Sequence, residues 1–413
     1  MSEKKKIPYS VEPVVREYSG PSGRQSAPPK NRFSAGLFLL AILIFNIALA
    51  ATIIMSFSNG KSNNQVYVTN NLVAENVETS AVASTTKLSV VCIGAGGSNS
   101  SNNPYSQTNL PSRNEMFSNT RQNGAGVIID VDKVHGTAYV LTCYHVVENY
   151  SSVVFVLLYD GNTAIYASVV GYSIANDVAV LKISSNSIKT SICTAATIGN
   201  SEFLTEGDFA LAVGNPQGKG FSATSGIVSR PISTFKSAKG YSMRGIQVDA
   251  AINGGNSGGG LFNAKGEFVG LVQSKISNVE IDNISYALPA NLVMNVAQKL
   301  IRTNGILTYA VAGYTTRTTT NGQFVDGRYY AFKNVYVDTV SGADAMAAGL
   351  SSGDQIVSIS YAGKTVQVLS EYTYEDIKYA LSVGDTITYN ILRGNSSVEI
   401  SVNITNSSSA SQR

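Results

Sequence analysis

The sequence predicts a mostly β protein, a barrel or sandwich followed by a smaller mixed unit, and three observations carry that expectation. Short apolar and β-branched runs, among them 88–93, 126–131, 137–142, 153–158, 178–183 and 268–272, are divided by Gly, Asn, Asp and Ser turn signals. Helical periodicity is almost missing before position 291, which fits a closed or stacked β-architecture better than alternating strand–helix units. At 413 residues the chain exceeds one ordinary core, and from about 305 onward strand-like runs frame two short helical ones, 343–350 and 375–381.

Taken in order, residues 1–32 hold seven Lys/Arg against three Glu and five of the ten prolines, and read as a disordered polar tail. Residues 33–57 carry no charge over 25 positions, long enough to cross a bilayer core of ~30 Å as one helix. A cleaved signal peptide competes, because Ala48-Leu49-Ala50 has a small-x-small pattern. The long tail and the apolar continuation through Ile53-Ile54-Met55 favour an uncleaved transmembrane helix. The basic flank then faces the cytoplasm and everything after position 57 lies outside. The expectation is a single-pass cell-membrane protein with its folded parts extracytoplasmic. Residues 58–86, rich in Ser, Asn, Thr and Val, read as a linker. The first folded unit spans 87–304, with a long polar insertion at 94–122 and a helix over 292–301. The second spans 305–405, and 406–413 reads as a disordered Ser-rich tail.

Charge and cysteine usage exclude several classes. Net charge is +3, and with the basic tail set aside the remainder is near neutral, so no basic stripe for nucleic acid exists. The three cysteines, Cys92, Cys143 and Cys193, cannot pair fully and match no metal spacing; they read as buried apolar residues. No nucleotide loop is visible, and no cofactor is expected.

The chemistry gathers around residues 253–262, N-G-G-N-S-G-G-G-L-F, where Ser257 stands among five glycines between two apolar runs. Such a stretch is either a glycine-rich hairpin loop or a nucleophile loop whose backbone N–H groups face a developing oxyanion. Of the two histidines, His135 lies in a polar turn and reads as exposed, whereas His145 follows the run 138–142 directly. An imidazole held there is placed for proton transfer, although a satisfied core histidine fits equally. Asp177 leads into an apolar strand and either caps a turn or orients His145.

The segments TAYVLTCYHVV, NDVAVLKI, VGNPQG, TSGIVS and QVDAAINGGNSGGGLFNAKGEFVGLV, in this order, resemble the HtrA (Deg) family of serine proteases. The resemblance covers roughly 87–405 and implies an all-β, chymotrypsin-like double β-barrel protease domain, then a small α+β PDZ domain, preceded here by one transmembrane helix. It implies His145 as general base and then acid, Asp177 as its orienting group, Ser257 as nucleophile, and the N–H groups of Gly255 and Ser257 as oxyanion hole. Ala251, six residues before the nucleophile, would lie at the base of the S1 pocket with Ile252 beside it, favouring a small or aliphatic residue at P1. Gly254 and Gly260 replace prolines usual in the family motif, and imply a looser loop. A carboxylate-binding loop falls near Tyr309, Ala310, Val311 and Ala312, with Tyr309 open to a core-packing reading as well. The implied function is a membrane-tethered, ATP-independent endopeptidase of unfolded or misfolded extracytoplasmic proteins. Its implied partners are unfolded protein substrates, C-terminal peptides at the PDZ domain and two further copies in a homotrimer. The alternatives are a non-catalytic PDZ adaptor or holdase, and a sensor protease for one signalling substrate.

Overall fold

A computed structural model describes residues 77–95, 122–148, 154–159, 164–216, 220–237, 239–273, 284–325 and 328–409. The tail 1–32, the apolar segment 33–57, most of the linker and most of the insertion 94–122 lie outside the described residues. Among the described residues no helix is long and apolar enough to cross a membrane.

The described chain begins with helix α1 (Thr79–Thr86), inside the stretch expected to be a linker. The hydroxyls of Ser84, Thr85 and Thr86 bond back to carbonyls one turn earlier. Val82 and Ala83 are the apolar side chains that pack against the core. So narrow an apolar stripe leaves almost no periodic signal in the sequence.

Six strands then close a first barrel. They are β1 (Val90–Ala95), β2 (Gln122–Asp132), β3 (Thr137–Thr142), β4 (Val154–Leu157), β5 (Ala164–Ser173) and β6 (Val178–Ser184), in the spatial order β1-β2-β3-β6-β5-β4. The one-turn helix α2 (Tyr144–Val147) follows β3, and α3 (Asn186–Thr190) follows β6, capped by the Ser185 hydroxyl. Six more strands close a second barrel: β7 (Phe209–Gly214), β8 (Ser222–Lys236), β9 (Ser242–Val248), β10 (Gly260–Phe262), β11 (Phe268–Gln273) and β12 (Ser285–Pro289). The predicted double β-barrel is therefore present, and closure leaves neither sheet an edge. Helix α4 (Ala290–Arg302) starts two residues earlier than its pattern predicts and buries Val293, Val296, Ala297 and Leu300 at helical spacing. The Val and Leu side chains each contribute about 1.5–3 kcal/mol when fully buried.

The C-terminal unit has its own core. Its sheet runs β14 (Tyr314–Val325), β15 (Arg328–Val340), β16 (Gln355–Tyr361), β18 (Thr386–Arg393), β19 (Ser396–Asn403), with β17 (Lys364–Gln367) paired to β16. Helices α5 (Ala343–Ala347) and α6 (Thr373–Ile377) accompany it. The Ser-rich tail differs from its expected disorder. Its first part forms β20 (Ser407–Ser409), antiparallel to β13 (Thr308–Ala310). The pairing is a backbone ladder along a Ser-only strand, which leaves no hydrophobic signature.

A buried polar clasp joins this unit to the barrels. Arg244 of β9 pairs with Asp376 of α6, both side chains largely buried, and its guanidinium lies 4.7 Å from the centre of the Tyr372 ring. Asn295 Nδ2 donates to the Asp376 carbonyl at 2.9 Å, and Lys299 Nζ to the Leu381 carbonyl at 2.8 Å. From the C-terminal side, the Ser370 and Thr373 hydroxyls donate to Glu202 Oε1 at 2.9 and 2.6 Å. Burial pushes the carboxyl of Asp376 up to about 7, outweighing the attraction of Arg244, and its Oδ2 has no hydrogen-bond partner among the described residues. Between about pH 4, where an unfolded aspartate releases its proton, and about 7, the folded state therefore holds a proton that the unfolded state has lost. Stability present below that window falls as pH rises through it. Thermal unfolding followed across the window should show this decline, and Asp376→Asn should flatten it.

Candidate active site

The end of β3 leads to the site. Thr142 Oγ1 bonds the Ala125 carbonyl at 2.7 Å, Cys143 is extended, and α2 opens with Tyr144 and His145. Across from it, Asp177 closes the turn between β5 and β6, its N–H donating to the Ile174 carbonyl at 3.1 Å. Its φ is +48°, a strained value for a residue with a Cβ. Two backbone N–H groups join these segments: Tyr144 N–H donates to the Asp177 carbonyl at 3.1 Å and His145 N–H to the side-chain Oδ1 of Asp177 at 2.8 Å.

Ser257 comes from the second barrel, in the loop before β10. Its carbonyl accepts the Ala125 N–H of the first barrel at 2.8 Å, while Gly258 N–H donates to Val272 at 2.9 Å. Gly258 has φ +81°, and a Cβ there would lie 2.2 Å from Thr142 Oγ1, so the position admits no side chain.

These elements bring the three expected residues into one buried chain. His145 Nδ1 lies 2.6 Å from Asp177 Oδ2, and His145 Nε2 lies 2.9 Å from Ser257 Oγ. A carboxylate only accepts, so Nδ1 carries the proton and Nε2 faces the hydroxyl as an acceptor. An imidazole in that tautomer can take the proton of Oγ while the carboxylate stabilises the charge that forms. Gly255 has φ +97°, and its N–H has no acceptor among the described residues. Ala251 is exposed, with its carbonyl accepting from Thr224 Oγ1 at 2.8 Å, and Ile252 is half-buried against the core of the second barrel.

The site contains a residue that sequence reasoning missed. Gln273, the last residue of β11, is buried, and its Nε2 donates to Asp177 Oδ2. The available signal was an amide ending an otherwise apolar strand, because a polar group in a buried strand requires a partner.

The expected looseness at Gly260 is corrected. Gly260 is not a loop residue but the buried first residue of β10, paired with Val213 and Leu271. A Cβ there would stand 2.4 Å from the Phe262 ring, which is itself buried against Phe268. Gly254, by contrast, is exposed with open space around it.

The stretch 309–312 is differently occupied from the expected carboxylate loop. The Tyr309 ring packs edge-on to Tyr379 at 5.6 Å. The N–H groups of Ala310, Val311 and Ala312 donate to the Lys378 carbonyl, the Asn406 carbonyl and the Tyr374 hydroxyl at 3.0, 3.1 and 2.9 Å. His135 is exposed, as its turn position predicts, and pairs with Asp132. The three cysteines are buried thiols. Cys143 Sγ, His145 and Asp177 offer metal-ligand atoms within 4.8 Å of one another. Both carboxylate oxygens and Nδ1 are already engaged in the hydrogen bonds above.

Two closed barrels with a serine, histidine and aspartate converging between them define a trypsin-like peptidase, and a family model of the trypsin-like peptidase domain matches residues 124–271. The chain is 35% identical over 303 residues to the serine protease Do-like HtrA of Lactococcus lactis, covering 69% of this chain and 71% of that protein. It is 37% identical over 285 residues to the corresponding protein of Bacillus subtilis, covering 65% of this chain and 60% of that protein. With the periplasmic serine endoprotease DegP of Escherichia coli it shares 32% identity over 292 residues, 69% of this chain and 57% of the other. The chain belongs to the HtrA family of serine proteases and is a serine endopeptidase.

Replacing Gln273 by Leu keeps the volume but leaves Asp177 Oδ2 one donor short. The expected result is a fall in kcat with KM nearly unchanged, of the size set by about 1–3 kcal/mol for a lost buried donor. Gly260→Pro should lower the unfolding temperature by several degrees, from overpacking worth about 1–3 kcal/mol.

Proposed function

We propose that this HtrA-family protease is a membrane-tethered, ATP-independent endopeptidase acting on unfolded or misfolded extracytoplasmic proteins. The catalytic part of this reading is supported by the hydrogen-bonded chain Ser257 Oγ, His145 Nε2, His145 Nδ1, Asp177 Oδ2. In it Ser257 attacks the peptide carbonyl, His145 removes the hydroxyl proton and returns it to the leaving amine, and Asp177 orients the ring and stabilises its charged form. The N–H groups of Gly255 and Ser257 receive the oxyanion. Loss of one such donor typically costs about 3–4 kcal/mol in the transition state. Water then hydrolyses the acyl-enzyme by the same proton route in reverse. Small Ala251 and aliphatic Ile252 at the S1 base favour a small or aliphatic P1 residue.

Segments 33–57 supply the anchor, and the expected assembly is a homotrimer. The C-terminal unit serves as a PDZ-type peptide binder. An extended segment adds along β14, one of the two outer strands in the order of its described sheet. Capture of a terminal carboxylate at 310–312 requires those N–H groups to release their present acceptors.

The full chain in lipid vesicles, given an unfolded casein substrate without nucleotide, should cleave it, and Ser257→Ala should reduce turnover by at least three orders of magnitude. Equal cleavage by both forms would remove Ser257 from the mechanism. Nucleotide-dependent cleavage would remove the ATP-independent reading.

A further inference from the structure

We infer that Tyr379 of the C-terminal unit is a positioning residue for Asp177, acting through Asn176, so that docking of that unit completes the turn on which the triad depends. The inference rests on the triad roles proposed above.

The turn 174–177 ends in a residue at φ +48°, which persists where its surroundings over-determine it. The partners of Asp177 hold its carboxylate and carbonyl. The residue before it is held by something else. Asn176 is half-buried, and both protons of its amide are used at 2.9 Å, one by Ser173 Oγ at the base of the same turn and one by the Tyr379 hydroxyl. Its backbone N–H also reaches Ser173 Oγ at 3.3 Å. The Asn176 side chain thus ties the end of β5 to a residue 203 positions away, and its peptide is the one that sets the φ of Asp177.

Tyr379 is in turn fixed by the docking contacts. The residue before it, Lys378, accepts the Ala310 N–H through its carbonyl at 3.0 Å. The residues after it, Ala380 and Leu381, accept from Arg302 at 3.2 Å and Lys299 at 2.8 Å, both on α4. The Tyr379 ring is buried against Tyr309, with Lys378 Nζ 5.4 Å from its centre. Burial raises the phenol above its usual range, so the group facing Asn176 is a neutral hydroxyl, able to accept an amide proton. The buried ring, and the bonds of the following segment to α4, together hold this oxygen against Asn176.

The consequence is a kinetic dependence of the protease site on a side chain that touches neither substrate nor any triad atom. Tyr379→Phe keeps the ring and its stacking and deletes one acceptor. In the full chain, phosphonylation of Ser257 by a fluorophosphonate probe and kcat for an unfolded casein should both fall about three- to tenfold, the range of one neutral hydrogen bond. KM should stay at its wild-type value, and the unfolding temperature should fall by no more than the few degrees one hydrogen bond is worth. Asn176→Ala, which loses the bond to Ser173 Oγ as well, should show at least this loss, and the double variant no more than Asn176→Ala alone, because Tyr379 acts only through Asn176. Wild-type labelling by Tyr379→Phe, a change in KM in place of kcat, or losses that multiply in the double variant would each overturn the inference. Ser257→Ala separates this from the underlying reading: if it still labels, the triad assignment itself is wrong, whereas if it does not, the Tyr379 result judges the inference alone.

Discussion

The buried carboxylate of Asp177 is the constraint on which the rest of the site depends. A charge removed from water is costly unless hydrogen bonds replace its solvation. Here Oδ1 receives the His145 backbone N–H, and Oδ2 receives the His145 ring and the Gln273 amide. Those donors come from two elements, α2 and β11, and the carboxylate from a third, the turn before β6. Satisfying one carboxylate therefore fixes the approach of the two barrels as well as the tautomer and direction of the imidazole.

The cleft between the barrels is held by few but well-placed bonds. The Ser257 carbonyl takes the Ala125 N–H, and Cys143 Sγ lies 3.4 Å from the Val272 carbonyl. Both join the two barrels within a few residues of the triad. The glycine at 258 permits that approach, since any Cβ would occupy the place of Thr142 Oγ1. Cys143, with its thiol pushed well up by burial, serves here as a small packing residue.

The C-terminal unit is joined through polar side chains, many of them buried: Arg244 with Asp376, Glu202 with Ser370 and Thr373, Lys299 with Leu381. Interfaces of this composition separate more readily than apolar ones, because each group can exchange its partner for water. Such an interface also titrates, because burial holds the proton on Asp376 up to about pH 7.

Much of this was legible in the chain itself. Alternating apolar runs and turn residues establish the β-architecture, because strand periodicity is local. The order of His145, Asp177 and Ser257, each at the end of an apolar run, identifies the chemistry, because a triad needs those side chains at strand ends and loops. Gln273 was not legible, since an amide at a strand end acquires meaning only when a carboxylate from another barrel reaches it. Helix α1 and strand β20 were missed because a two-residue apolar contact and a backbone ladder along a Ser-only strand leave no pattern. Gly260 was misread because the crowding that requires glycine comes from how the Phe262 ring folds back. The N–H groups of 310–312 met acceptors contributed by segments some 60–100 positions further on. The sequence by itself determined which groups could act and the fold class that carries them, as these follow from local period and residue type. Which groups meet was decided only by the tertiary structure, because the energy of a buried charge depends on partners that chain proximity does not specify.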